Sequence, residues 1–232
     1  MLKRLKKQIS RSQREKVKQK LWEWKHDNAP KIFGIGNNKT GTTSLKKAMF
    51  KLGYKIGDQR KAELLNQEWA QRNFKPIIEY CKTAEFFQDF PFSKSFTFVA
   101  LDQAYPNSKF ILTVRDNPEQ WYNSITKFHA KLWGKDGRIP TEEDLKNATY
   151  IYKGRPWEMN RLAAITPEND PYQKEALIQS YIDYNNSIIN YFKHRSKDLL
   201  ILNVAEKGAY AKLCQFLGLP LTTEEFPWEN KT

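Results

Sequence analysis

Lys31-Ile32-Phe33-Gly34-Ile35-Gly36-Asn37-Asn38-Lys39-Thr40-Gly41-Thr42-Thr43-Ser44-Leu45 is the stretch on which the architecture of this 232-residue chain turns. Residues 31–35 make a short apolar strand. Leu45, Ala48, Met49 and Leu52 then recur at i, i+3, i+4 and i+7, which predicts a helix over residues 43–52. Gly53 stands where a left-handed cap would close that helix. A glycine-bearing loop therefore joins a buried strand to a helix start.

Outward from this unit the same alternation continues. Helical spacing covers residues 61–82, with Pro76 starting a second segment. Ala84-Glu85-Phe86-Phe87 reads as a strand and residues 95–104 as a helix. Lys109-Phe110-Ile111-Leu112-Thr113-Val114 is mostly apolar, as a strand buried in a parallel sheet should be. A helix then opens with Asn117 as N-cap, Pro118 in the first turn and Gln120 completing a capping box. Residues 134–170 read as an irregular, partly helical insertion, residues 172–194 as a long helix and 199–202 as a strand. Tyr210–Phe216 is a helix closed by Gly218, and the tail with Pro220 and Pro227 is extended. Alternating apolar strands and helices predict an α/β fold: a doubly wound, mostly parallel sheet with helices on both faces. The expected organisation is a basic helical arm over residues 1–27, then one α/β domain over 28–232 that carries the 134–170 insertion.

Composition narrows the function. Seven Trp, eleven Tyr and fourteen Phe suffice for an ordinary core, which argues against global disorder. The two cysteines, Cys81 and Cys214, form no Cys-x-x-Cys pair, so neither a disulfide framework nor a zinc site is expected. No apolar run is long enough to span a bilayer, and the N-terminus lacks the pattern of a secretory signal; a cytoplasmic protein is expected. Net charge is +13. Residues 1–20 hold nine Lys/Arg against Glu15 and so carry +8, which leaves +5 for the remainder. The body is only mildly basic, so nucleic acid is not the expected partner. In the arm, Leu2, Leu5 and Ile9 share a helical face that Leu21 and Trp24 continue. It reads either as a solvated helix packed on the body or as an interfacial helix drawn to anionic membrane.

The chemistry starts at Gly36–Thr43. Backbone N–H groups at a helix start and the positive end of its dipole favour an anion, and Thr42 and Thr43 add hydroxyls in the first turn. Gly36 and Gly41 have the separation of a Walker A loop, but Thr42 stands where its lysine belongs, and the basic residue is Lys39. The strand 109–114 ends in Arg115, so a metal-holding carboxylate is missing from its usual place.

Lys39-Thr40-Gly41-Thr42-Thr43 between a strand and a helix resembles the 5′-phosphosulfate loop of the sulfotransferases that use 3′-phosphoadenylyl sulfate (PAPS). The resemblance implies the sulfotransferase variant of the P-loop nucleotide-hydrolase fold, PAPS as co-substrate and no metal. It also implies a 3′-phosphate site made of an Arg at a strand end and a Ser on the following helix. Arg115 and Ser124 answer to these, nine residues apart where the family's usual separation is eight. An Arg fork and a neutral donor suit a phosphate chemically. More loosely, the likeness runs from residue 31 to the C-terminus, where the strand 199–203, Phe216-Leu217-Gly218 and Phe226-Pro227 look like those of small sulfotransferase-like proteins.

What the resemblance implies about catalysis is an in-line displacement at sulfur. Lys39 would neutralise charge at the bridging oxygen, and a base would deprotonate the acceptor hydroxyl or amine. Many family members carry a His just before an apolar-Pro pair. Here the corresponding stretch is Gln88-Asp89-Phe90-Pro91, which makes Asp89 the candidate base. His129 is its main rival, with Glu85, His26 and His194 behind. The acceptor stays open among glycan, lipid, small metabolite and peptide tyrosine, and Trp133, Tyr150, Tyr152, Arg155 and Trp157 of the insertion read either as a lid over it or as packing. Two other functional classes stay open: a P-loop kinase or NTPase with a degenerate loop, and a non-catalytic nucleotide-binding protein that uses its arm to reach a membrane or acidic partner.

Overall fold

The computed structural model describes residues 11–25, 29–220 and 224–227. Its strands are β1 (Ile32–Gly34), β2 (Phe86–Gln88), β3 (Lys109–Thr113), β4 (Thr149–Tyr150), β5 (Tyr152–Lys153) and β6 (Leu199–Leu202). Among the described residues, β2-β1-β3-β6 form one sheet with every pairing parallel, in the register Ile32↔Phe86, Ile32↔Lys109 and Phe110↔Leu199. β4 and β5 make a separate antiparallel pair within the insertion.

The helices are α1 (Arg11–Lys25), α2 (Thr42–Lys51), α3 (Gln59–Ala62), α4 (Asn66–Ala70), α5 (Lys75–Tyr80), α6 (Thr97–Ala104), α7 (Pro118–Trp133), α8 (Glu142–Asn147), α9 (Arg155–Ala163), α10 (Lys174–Phe192) and α11 (Ala209–Phe216). Strand side chains alternate between two cores, as a period of two requires. Phe33, Phe87, Phe110 and Leu112 pack with Ile77 of α5, Leu101 of α6 and Ile188 and Phe192 of α10. On the opposite face, Ile32, Phe86, Ile111 and Leu202 pack with Leu45 and Met49 of α2 and with Leu213 of α11. Both faces are thus covered, and the sheet is doubly wound. Phe33 is fully buried, 5.4 Å from the Phe110 ring and 6.0 Å from that of Phe87. Burial of each such ring contributes about 1.5–3 kcal/mol.

Strand order positions the site. The chain leaves β1 for β2 on one side and returns to place β3 on the other. That reversal opens a crevice above the carboxyl ends of β1 and β3, where open α/β sheets hold ligands.

Several local expectations need correction. Residues 61–82 are helical and Pro76 does start a segment, α5, but the stretch before it divides into α3 and α4, and a 3₁₀ turn follows at Cys81–Thr83. Asp58 caps the N–H groups of Arg60 and Lys61, starting α3 before residue 61. Arg72, at φ 59°, ends the run that α4 begins. The long helix begins at Lys174 rather than at 172. Asn117 does cap α7 by accepting from the Gln120 N–H (2.8 Å). The Gln120 side chain, however, reaches past Asn117 to the N–H of Asp116 (3.0 Å), so the reciprocal half of the box is displaced by one residue.

The arm is helical over α1, where it is described. Gln19 donates to the carbonyl of Thr83 (3.3 Å), and Lys55 Nζ lies 3.8 Å from the Trp22 ring. Trp22, not the exposed Leu21, meets the body. Leu2, Leu5, Ile9 and the side chain of Trp24 lie outside the described residues. Among the described residues no helix is long and apolar enough to cross a membrane.

Candidate active site

The loop between β1 and α2 is anchored from below. Ile35 N–H donates to Ile111 (2.9 Å), and the Tyr184 hydroxyl donates to the carbonyl of Ile35 (2.8 Å). Thr40 is fully buried, its hydroxyl hydrogen-bonded to Thr113 of β3 (2.6 Å) and to the Asn37 carbonyl. Gly36 is demanded by space. A Cβ there would lie 2.1 Å from the Thr113 hydroxyl oxygen and 2.5 Å from its carbonyl. Gly41 is demanded twice, by φ 100° and by Val204, whose methyl would stand 2.3 Å from an added Cβ. As N-cap of α2 it supplies no side-chain acceptor, and no acid occupies the first turn. The first N–H groups of the helix and the exposed Thr43 therefore present an uncapped positive end.

Lys39 sits at φ 70°, half-buried, with Nζ 4.1 Å from the Phe128 ring. Burial and then the neighbouring Arg115 push its pKa below the ordinary lysine value. Arg115 is tied to the same loop: Nε donates to the carbonyl of Lys39 (2.6 Å), and Nη2 lies 3.4 Å from Ser124 Oγ. The nine-residue separation does not part them. Asn117 is extended, and α7 begins only after it, at Pro118. Nor does Arg115 pair with Asp116, whose carboxylate accepts from Asn203 and Gln120. Trp121 closes the arrangement by donating to the Asn38 carbonyl (3.0 Å) while stacking on Tyr181 (4.6 Å). The Tyr181 hydroxyl accepts from the Arg115 N–H (3.1 Å).

Asp89 follows β2 directly, at φ 58°, ahead of the cis Phe90–Pro91 bond. Its Oδ2 accepts from the Gln88 amide (3.0 Å), while Oδ1 is buried without a hydrogen-bond partner. Burial pushes the carboxyl up to about 6, against the opposing pull of the Thr42 hydroxyl and Gln88. The carboxyl is thus beside the first turn of α2. A carboxylate with a free lone pair and a pKa near neutrality suits proton abstraction. The side chain caps no helix; the turn to Ser93 uses the Asp89 backbone carbonyl (2.8 Å).

His129 is differently placed. Its Nδ1 is 2.8 Å from the Tyr172 hydroxyl, and its ring packs on Trp133. Burial first, then Lys39 and Lys94, depress it to about 3, which leaves a neutral, weakly basic imidazole. Glu85 accepts from the Lys55 N–H (2.8 Å) at the opposite end of β2. His194 is exposed, and His26 lies outside the described residues.

Beside Lys39 opens a cavity of about 290 Å³ between α7, α9 and α10. Trp133, Tyr150 and Arg155 of the expected lid line it, together with Phe128 and His129. Tyr152 and Trp157 do not; Tyr152 donates to Glu158 (2.6 Å), and Trp157 packs under Lys146 and Arg161. Lys94, Glu63 and Tyr181 also reach the cavity and were not singled out in the sequence. Each is a polar residue without a local motif: Glu63 follows α3, Lys94 lies in the loop after β2 and Tyr181 is on α10, and they meet only in the fold. Among the described residues, no cluster of His, Cys, Asp or Glu could hold a metal ion.

A family model described as a sulfotransferase domain matches residues 31–232. No curated protein matches the chain.

Proposed function

The chain belongs to the sulfotransferase family, and from that premise we propose that it transfers a sulfuryl group from PAPS to an acceptor hydroxyl or amine, releasing adenosine 3′,5′-bisphosphate. The family assignment establishes sulfotransfer in general, between a nucleotide donor and an acceptor. The observation that carries the choice of donor is the junction of two anion-binding elements at one sheet edge. Lys39 and the α2 start would face a 5′-phosphosulfate, and Arg115 with Ser124, 3.4 Å apart and with no carboxylate paired to Arg115 among the described residues, would face a 3′-phosphate. A nucleotide with one phosphate group would use only half of this.

In this reading Lys39, Thr40, Gly41, Thr42 and Thr43 cradle the phosphosulfate. Backbone N–H groups do most of the binding, since Thr40 and Thr42 are buried and hold the loop's shape. The acceptor oxygen attacks sulfur in line as the bond from sulfur to the bridging oxygen breaks. Asp89 takes the acceptor's proton, and Lys39 offsets charge growing on the departing phosphate. Preorganised cations aimed at developing charge supply much of such an acceleration. In this reading the reaction is cytoplasmic, a setting to which the two free, buried thiols of Cys81 and Cys214 are suited.

Sulfuryl-labelled PAPS incubated with cell extract tests the activity. Label should pass to an acceptor with wild type. Lys39→Ala should lower turnover by about two to three orders of magnitude, the cost of losing one preorganised charge-stabilising contact. Its affinity for adenosine 3′,5′-bisphosphate, which lacks the transferred group, should change far less. Equal loss of both would place Lys39 in general binding and remove it from the transition state.

A further inference from the structure

The cavity beside Lys39 is unusual in its charges. Arg155 is 5% exposed, yet its guanidinium makes no ion pair with any of the described residues. One nitrogen, Nη2, donates to the Glu63 backbone carbonyl (2.9 Å), while Nε is buried with no hydrogen-bond partner. The ring centroids of Tyr150 and Phe90 lie 5.5 and 5.8 Å from its Cζ and hold it in place. Lys94 lines the same cavity, half-buried, and its ammonium has no hydrogen-bond or ion-pair partner among the described residues. Burial, then the nearby Arg155 charge, lowers its pKa. Two desolvated cations beside each other, one with an unsatisfied donor, cost stability in the absence of a counter-charge.

The neighbouring side chains do not supply one. The Glu63 carboxylate, on the same cavity, makes no ion pair with either cation: Oε1 receives Tyr150 (3.0 Å) and Gln59 (3.1 Å), and Oε2, buried without a hydrogen-bond partner, lies 3.9 Å from Arg60. His129 is neutral, and Asp89 lies outside the residues that line the cavity. The rest of the wall is apolar or aromatic, including Phe128, Trp133, Leu145 and Met159. A volume of about 290 Å³ is at the small end for ligand cavities and suits a single-ring compound rather than a chain of sugars.

We propose that the acceptor is a small hydroxylated ring compound that carries an acidic group, bound between Lys94 and Arg155, with its hydroxyl directed to Lys39 and Asp89. This rests on the sulfotransferase reading for the hydroxyl's fate but not for the acid's recognition. Lys94 and Arg155 act here as specificity-determining residues. The aromatic wall holds the ring, and the acidic group supplies the charge that the two cations lack.

The test uses three phenols of one shape: 3-(4-hydroxyphenyl)propanoate, its primary amide and tyramine. Each is titrated calorimetrically into the full chain, with and without adenosine 3′,5′-bisphosphate. The carboxylate should bind about tenfold or more tighter than the amide, as expected for charge-assisted hydrogen bonds, and tyramine should bind most weakly. Lys94→Gln should bring carboxylate and amide to within about threefold of each other while leaving nucleotide affinity in place. Arg155→Gln should act alike, and the Lys94 variant keeps the test open should the buried arginine prove necessary for folding. Equal binding of carboxylate and amide overturns the proposal, as does binding by none of the three or a preference unchanged in Lys94→Gln. Tighter binding of tyramine overturns it too, and assigns the charge preference to Glu63. Failure of the bisphosphate to bind, with the carboxylate preference intact, counts against the PAPS reading alone.

Discussion

Asp89 occupies a left-handed backbone position, φ 58°, that Asp and Asn tolerate better than other non-glycine residues. Asp89→Asn therefore keeps the backbone and removes only the ionisable oxygen. Its sign with pH is fixed by burial. The carboxyl titrates near 6 in the fold, above its ordinary value of 3.8, so the working base is present above pH 6 and is lost below it. In wild type, log kcat/KM should rise with unit slope to a bend near pH 6 and then level. Asp89→Asn should lower transfer by about two to four orders of magnitude and abolish that bend, while binding adenosine 3′,5′-bisphosphate as before. Retained activity with the bend intact would remove Asp89 from the role. Linkage runs the other way for stability. The raised pKa means that the charged form costs the native state above pH 6, so the same variant should melt higher than wild type at pH 7.5 and equally at pH 3. Asp89 was legible only through the position of Asp-Phe-Pro after a strand; its unpartnered Oδ1 is a product of packing. His129 shows the limit of reading residue types. The sequence offers an imidazole, and burial between two cations makes it a poor proton acceptor.

At the scale of elements, the strand–loop–helix unit was legible because its constraints are local. Apolar period, glycine positions and the helix start lie within two dozen residues. The depth of the Gly36 constraint was not, because it comes from Thr113, far along the chain on β3. Gly36→Ala forces a Cβ against that residue's backbone and hydroxyl, and should cost about 1–3 kcal/mol with a weakened nucleotide affinity. Gly53→Ala is the control. No atom lies within 4 Å of an added Cβ there, so only the strain of φ 91° opposes it, at about 1–2 kcal/mol, with nucleotide affinity unchanged. Urea melts and nucleotide titration of both variants separate the two; equal nucleotide affinity in both would show that the loop tolerates the intrusion. The helix α7 illustrates a partial reading. Asn117 and Pro118 mark its start, but whether Gln120 reaches Asn117 or Asp116 depends on the extended turn before it. In the region 61–82 the start at Pro76 was legible, but the division before it was not, because the cap at Asp58 and the left-handed Arg72 outweigh a weak apolar period.

For the molecule as a whole, the alternation of strands and helices was enough to foresee a doubly wound sheet, since apolar strands without a polar face require cover on both sides. Strand order was not foreseeable from periodicity, and it is the order β2-β1-β3-β6 that brings the ends of β1, β2 and β3 to one edge. Lys39, Asp89 and Arg115 each follow one of those strands. The cavity is less legible still, because Lys94, Arg155 and Glu63 come from segments with no shared motif and meet only through the packing of the insertion. The central claim is that this edge takes a nucleotide with anions at both the 5′ and 3′ positions. It is tested most directly by titrating adenosine 3′,5′-bisphosphate, adenosine 5′-phosphate and ATP with Mg²⁺ into wild type and Arg115→Ala. The bisphosphate should bind about 10–100-fold tighter than the monophosphate in wild type, the worth of a charge-assisted phosphate contact, and nearly equally in Arg115→Ala. Tightest binding of ATP with Mg²⁺, or no gain from the 3′-phosphate, would contradict it.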